Sequence, residues 1–447
     1  MTSYWCELAW LGHEAEAGVV IGVDGDHIAS IDRGVDPAPA DAVRLRGLTL
    51  PGLANGHSHA FHRAMRGRTQ AGAGSFWTWR EQMYTLAERL TPDTYYRLAR
   101  ATYAEMTMAG VVAVGEFHYV HHQADGTAFD DPNAMGEALL AAASDVGIRI
   151  TLLDTLYLYG GLGADGYVEA GPEQRRFSDG DVEAWADRIA RLEAGPRVAI
   201  GAAVHSVRAV DPASMARLGE WARAAGAPVH IHLSEQPSEN EQCRAVHGCS
   251  PVELAAASGL LTANTTAIHA THVSPADIAL IGSSGTGVCL CPTTERDLAD
   301  GVGPAAELAG AGATLSLGSD SHAVIDLFEE ARAVELDERL VTNVRGHHTP
   351  AELLAMATRG GRLALGCPDG GVLAEGAPAD MVTIGLESVR LAGVDAASVV
   401  AGTVFAAGAA DVHHVVVGGE VVVRDGAHTS IDAAGELSSA IAELVAS

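Results

Sequence analysis

Between about residues 48 and 365 the chain alternates short apolar, β-rich runs with longer stretches of helical period, and it does so eight times. The runs are GLTLPGLANGH, VVAVGEFH, IRITLLDTLY, RVAIGAAVHS, APVHIHLSE, TTAIHATHV, TGVCLCPTT and ATLSLGSDSH. Segments such as SMARLGEWARAAG and AELLAMATRGGRLAL supply apolar faces at helical spacing. Eight strands with intervening helices predict an α/β chain whose residues 51–365 form a TIM-like (β/α)8 barrel. A doubly wound open sheet is the alternative, but no G-x-G-x-x-G follows the first strand. The flanks have a different texture. AGVVIGVDGDHIASIDRG and VHHVVVGGEVVVRDG each read as strand, tight turn, strand. Neither flank is large enough for its own core, so residues 1–50 and 366–447 are expected to combine into one small β-sandwich domain.

Each of the eight runs is apolar until its C-terminal end, where a polar group appears. These are His57 and His59, then Glu116 and His118, Asp154, His205, His232 with Glu235, His269, Thr293, and Asp320. In a barrel the strand ends converge on one face, and active sites of this fold are built there. An H-x-H pair alone says little, because 20 histidines in 447 residues produce one by chance about once. Five separate strands that end in His, with two more that end in Asp, are a constellation. Residues i and i+2 of a strand face the same side, so His57 and His59 can grip one ion together. Imidazole nitrogens and one carboxylate suit zinc or a similar divalent ion. The expected ligands are His57, His59, His232 and Asp320. His230 lies deeper in its strand than His232 and is expected behind the site; His272 is read as a loop or packing residue.

Composition removes other chemistries. The chain has no lysine; all 28 basic residues are Arg. Schiff-base and pyridoxal chemistry, a phosphate-loop lysine and a metal pair bridged by carbamylated lysine are therefore excluded. A formal charge of −29 repels nucleic-acid phosphates and anionic lipid, so neither partner is expected. The six cysteines form no disulfide framework and no usual zinc spacing; Cys289 and Cys291 are read as core. Glu7 and Glu14 interrupt the N-terminal segment, and no run approaches a membrane span. A soluble cytoplasmic protein is the expectation.

The motifs NGHSHAFHRAM, SFWTWREQMY, EFHYVHH, HSVRAV, HIHLSEQ, HATHV, CPTTE and GSDSH carry a resemblance that runs through the barrel. The pattern resembles the amidohydrolase superfamily in its mononuclear, deaminase-like branch. The finer motifs look like those of deiminases that act on N-formimino-L-glutamate in histidine degradation. The resemblance implies one divalent ion, with zinc expected, and hydrolysis that yields N-formyl-L-glutamate and ammonia. It implies that Asp320 takes the first proton from water, that Glu235 is general acid/base, and that His269 holds the added oxygen. It also implies a small dicarboxylate substrate held by Arg80 and Arg208, with Tyr119 and His205 as further contacts, and a homodimer. Trp77 and Trp79 are expected to pack a lid. Two departures stand out. His62 occupies a position where the family pattern has Gln, and Arg296 stands where a small residue is expected. Rival readings are a relative acting on another formimino or guanidino acid or a purine-like ring, and a catalytically silent barrel that serves as a binding module.

Overall fold

The computed structural model describes residues 2–70 and 72–446, so Met1 and Ser447, the outermost residues of the expected small domain, lie outside the described residues. All eight expected barrel strands are present: Leu53–Ser58, Val111–His118, Arg149–Leu156, Val198–Ser206, Val229–Leu233, Thr265–His269, Gly287–Leu290 and Leu315–Leu317. They lie side by side in chain order, and every neighbouring pair is parallel. Ser58 and Asp320 bridge the first and last strands and close the barrel. The amide of Asp320 donates to the His57 carbonyl (3.0 Å), and the amide of His59 donates to the Asp320 carbonyl (3.3 Å). The closure thus ties together three of the four expected metal ligands through their backbones.

Local sequence explains the crossovers. The helix Pro212–Ala225, between the fourth and fifth strands, starts at Asp211, whose carboxylate accepts the amides of Ala213 and Ser214. Proline fills its first turn, and Gly226 ends it in a left-handed conformation (φ +65°). A second glycine works by close approach. A Cβ on Gly360 would stand 2.1 Å from the Leu315 carbonyl oxygen, because the helical stretch around it presses on the last barrel strand. Gly360→Ala gains about 1 kcal/mol of helix propensity. The clash with rigid backbone outweighs that gain, and a net loss of about 1–3 kcal/mol in denaturant unfolding is expected. Unchanged stability would mean that this helix does not press on the strand.

The two flanks share one eight-stranded sheet. Thr2–Trp10 pairs in parallel with Val43–Pro51, which pairs antiparallel with Met381–Ile384 from the far end of the chain. The hairpin Val412–Val417 to Glu420–Arg424 turns through Gly418 and Gly419 (φ +56° and +75°), as the Gly-Gly signal predicts. Tyr4, Ile21, Leu45, Met381 and Val416 fill a core common to both flanks. Arg149, at the start of the third barrel strand, forks onto Asp380 (2.8 and 3.1 Å) and also donates to Asp26 (2.7 Å), which fastens the sheet to the barrel. No helix of the described residues is long and apolar enough to cross a membrane.

Candidate metal centre and active site

The four expected ligands meet at the mouth of the barrel. His57 Nε2 lies 3.1 Å from His232 Nε2 and 3.3 Å from Asp320 Oδ1, and His59 Nε2 lies 3.5 Å from the same oxygen. Ligands at the corners of a tetrahedron with 2.0–2.1 Å bonds stand about 3.3–3.4 Å apart, so these spacings fit one zinc-sized ion. The tautomers agree. His59 Nδ1 and His232 Nδ1 each face a backbone carbonyl, those of Phe117 and His205, at 2.9 Å. A carbonyl only accepts, so both Nδ1 atoms carry the hydrogen and both Nε2 lone pairs point inward. Burial holds His57, His59 and His232 below the ordinary imidazole range, which keeps them neutral as a metal requires. Burial opposes ionisation of Asp320, but His57, His269 and His59 outweigh it and hold its carboxyl well below the usual range.

The backbone is strained where the site is built. Among the described residues eight non-glycines have positive φ, and five of them (Ser234, His269, Ala270, Asp320 and His322) sit at strand ends around this cluster.

A cavity of about 50 Å³ opens beside the ligands. Every residue expected to contact substrate lines it: His62, Arg80, Tyr119, His205 and Arg208, together with Glu235 and His269. Glu235 Oε1 lies 3.8 Å from His269 Nε2, which is 3.9 Å from Asp320 Oδ2. Burial pushes the Glu235 carboxyl above the usual carboxylate range, against the pull of His269 and Arg208. His269 is raised well above the imidazole range, because Glu235, Glu295 and Asp320 outweigh its burial. Its other ring nitrogen, Nδ1, sits 3.3 Å from Glu295 Oε1.

Arg80 rises from the helix Phe76–Glu88 with its guanidinium 5.1 Å from the Tyr84 ring centre and 5.6 Å from that of Trp77. Among the described residues no carboxylate lies within ion-pair distance of Arg80, and only Glu239, at 3.6 Å from Nε, pairs with Arg208. His62 Nε2 is 3.1 Å from the Tyr119 hydroxyl, and burial pushes this imidazole down to about 3. At neutral pH His62 is an uncharged hydrogen-bonding group, much as the amide expected at its position would be.

Other expectations separate. Trp79 lines the cavity and stands 5.0 Å from His62, so it does more than pack a lid, whereas Trp77 is 41% exposed. Asp154 points away from the His57, His59, His232 and Asp320 cluster; both its oxygens hold Arg188 (2.8 Å each), and Trp185 donates to it as well. His118 and His121 flank that pair in a separate buried cluster. Glu116 accepts the Ser58 hydroxyl and the Ala60 amide, which braces the turn that carries His59 and His62. The amide and hydroxyl of Thr293 both donate to the Glu330 carboxylate. His230 Nε2 bonds the Ala364 carbonyl behind the site, as its depth predicted. Arg296 lies at the surface against Glu329. Glu239 and Glu295 went unread in the sequence. Each lies in the first turn of a helix that leaves a barrel strand, and a Glu in that turn is the signal that was available.

The chain matches the amidohydrolase family over residues 48–422, and it belongs to that family. It is an enzyme, a hydrolase of carbon–nitrogen bonds. Over 403 residues it is 39% identical to formimidoylglutamate deiminase of Pseudomonas aeruginosa, a match that covers 87% of each chain. Among solved structures, an amidohydrolase from Brucella melitensis superposes with a TM-score of 0.92 at 36% identity, over the whole of both chains. An adenosine deaminase from Xanthomonas campestris, solved with zinc bound, superposes with a TM-score of 0.82 at 22% identity, over 98% of this chain and 96% of that one, and shows the shared fold.

Proposed function

We propose that the protein hydrolyses N-formimino-L-glutamate to N-formyl-L-glutamate and ammonia, with one zinc ion held by His57, His59, His232 and Asp320. The observation that carries this reading is the pair of arginines in the cavity. In a chain with a net charge of −29, Arg80 faces no carboxylate and Arg208 meets only one, while both line the pocket beside the ligand cluster. Guanidinium forks match carboxylates, and a substrate with two of them supplies the missing partners. An uncharged purine ring leaves Arg80 with no carboxylate and Arg208 with Glu239 alone at 3.6 Å. The 39% identity to a formimidoylglutamate deiminase supports the same substrate.

A divalent ion in this donor set supplies Lewis acidity, which brings the pKa of a water down to about 7. Asp320 accepts that water's proton. Addition of the oxygen to the formimino carbon creates a tetrahedral centre, and His269 donates a hydrogen bond from Nε2 to the added oxygen. The departing nitrogen gains two protons, the one that Asp320 took from water and the one left on the added oxygen, with Glu235 as the carrier; the carbon–nitrogen bond breaks, and ammonia leaves. Water is consumed and the formimino group becomes formyl, so atoms balance.

The test is ammonia release from N-formimino-L-glutamate set against N-formimino-L-aspartate, guanidino acids and adenosine. Preference for another member of that panel would replace the substrate and leave the family intact. Arg208→Met is expected to raise KM for N-formimino-L-glutamate by about thirtyfold or more, since losing one partner of a buried charge contact costs about 2 kcal/mol or more. A formimino compound without carboxylates should be affected far less. Equal effects on the two would place the clamp elsewhere.

A further inference from the structure

Glu239, the one carboxylate that meets Arg208, is given no role in the reading above, yet it is wholly buried beside the cavity. It sits in the first turn of the helix Pro237–His247. One oxygen, Oε1, accepts the Ser234 amide at 3.3 Å. The other, Oε2, has no hydrogen-bond partner and stands 3.6 Å from Arg208 Nε, which also has none. Arg208 therefore meets Glu239 along its Nε edge, and its terminal nitrogens have no acceptor among the described residues. That is the geometry of a clamp held from behind with its fork presented to the cavity.

We propose that Glu239 is the positioning residue of the substrate clamp: it steadies Arg208 while the cavity is empty and takes up a proton when a ligand carboxylate docks on the fork. The inference rests on the dicarboxylate reading above. Its logic is a count of charges. Around the empty clamp, Glu239 faces the Arg208 cation, with Glu235 and His269 at the strand ends and Cys243 one turn along its own helix. A ligand carboxylate brings another anion to a guanidinium already shared with Glu239, in a buried setting where two carboxylates cannot both stay charged cheaply. Burial already pushes the Glu239 carboxyl up to about 7, with Glu235 adding to that rise and Arg208 opposing it. Protonation at neutral pH is therefore within reach of a modest further push. Oε2, which lacks a hydrogen-bond partner, is the free acceptor for the proton.

The experiment is calorimetric titration of the metal-loaded enzyme with N-acetyl-L-glutamate, an unreactive dicarboxylate whose own groups do not ionise between pH 6 and 8. Measurements in buffers of different ionisation enthalpy report the protons taken up. Wild-type enzyme should bind about five- to tenfold more weakly at pH 8 than at pH 6 and take up roughly half a proton or more at pH 7.5. Sign and site agree: the protonated form binds better, so affinity falls as pH rises through the Glu239 pKa. Glu239→Gln mimics the protonated state and should bind with nearly constant affinity over the same range. A wild-type Kd independent of pH, no proton uptake, or equal uptake by Glu239→Gln would overturn the inference and leave the dicarboxylate reading standing. Failure of N-acetyl-L-glutamate to bind at any pH would overturn both.

Discussion

Replacing Glu235 with Gln is expected to lower kcat by about 10²–10⁴-fold, the typical worth of a positioned proton carrier, while the enzyme keeps its metal. Among the described residues, Glu235 belongs to none of the His, Cys, Asp and Glu groups whose donor atoms lie close enough together to hold an ion. It nevertheless lines the cavity beside the ligands, 3.8 Å from His269 Nε2. Glutamine preserves volume and hydrogen bonding, so packing against His269 and the neighbouring Arg208 field should survive. What it removes is the exchangeable proton. A fall in kcat with nearly unchanged KM and full metal content is the signature of a group used only in the transition state. Near-normal turnover would strip Glu235 of the role, and loss of metal would mean that it is a ligand or a structural prop.

The barrel was legible because its strands are buried on both faces and so read as apolar runs bounded by turn residues. The grouping of His57, His59, His232 and Asp320 was legible because chemistry collects at strand ends and the candidate ligand types are few. What escaped has two physical causes. At strand ends, neighbouring residues point alternately into the barrel and toward the helices, and a polar residue's identity does not reveal its side. Asp320 faces inward to the ligands, whereas Asp154 faces outward to Arg188 and Trp185, though both looked alike in sequence. The second cause is that helix first turns contribute groups with no motif of their own. Glu295 braces His269, and Glu239 backs Arg208, yet each reads as an ordinary acidic residue near a helix start, where acids are common for reasons of the helix dipole. Trp79 was assigned to a lid because exposure cannot be judged from residue type; its ring in fact forms the wall against His62.

His232 and His230 offer the sharpest test of the metal centre, because they share one strand and one face yet are given opposite roles. His232→Ala should take the bound metal from about one ion per chain to near none and abolish hydrolysis. One imidazole is lost from a four-donor set. His57 Nε2, which faces His232 Nε2 at 3.1 Å, then loses the geometry that an ion would join. His230→Ala removes a bond to the Ala364 carbonyl below the site and leaves the four donors in place. Metal content should therefore stay near one per chain, with the loss appearing as destabilisation from a cavity and an unpaired carbonyl, about 1–3 kcal/mol for the buried acceptor alone. Elemental analysis after dialysis against a weak chelator separates the two variants without any activity measurement. Equal metal loss in both would mean that the whole strand, and not its outermost histidine, sets the site. Two ions in the wild-type protein would end the single-metal assignment, since the chain lacks the lysine that a bridged pair requires and a second ion would need other ligands.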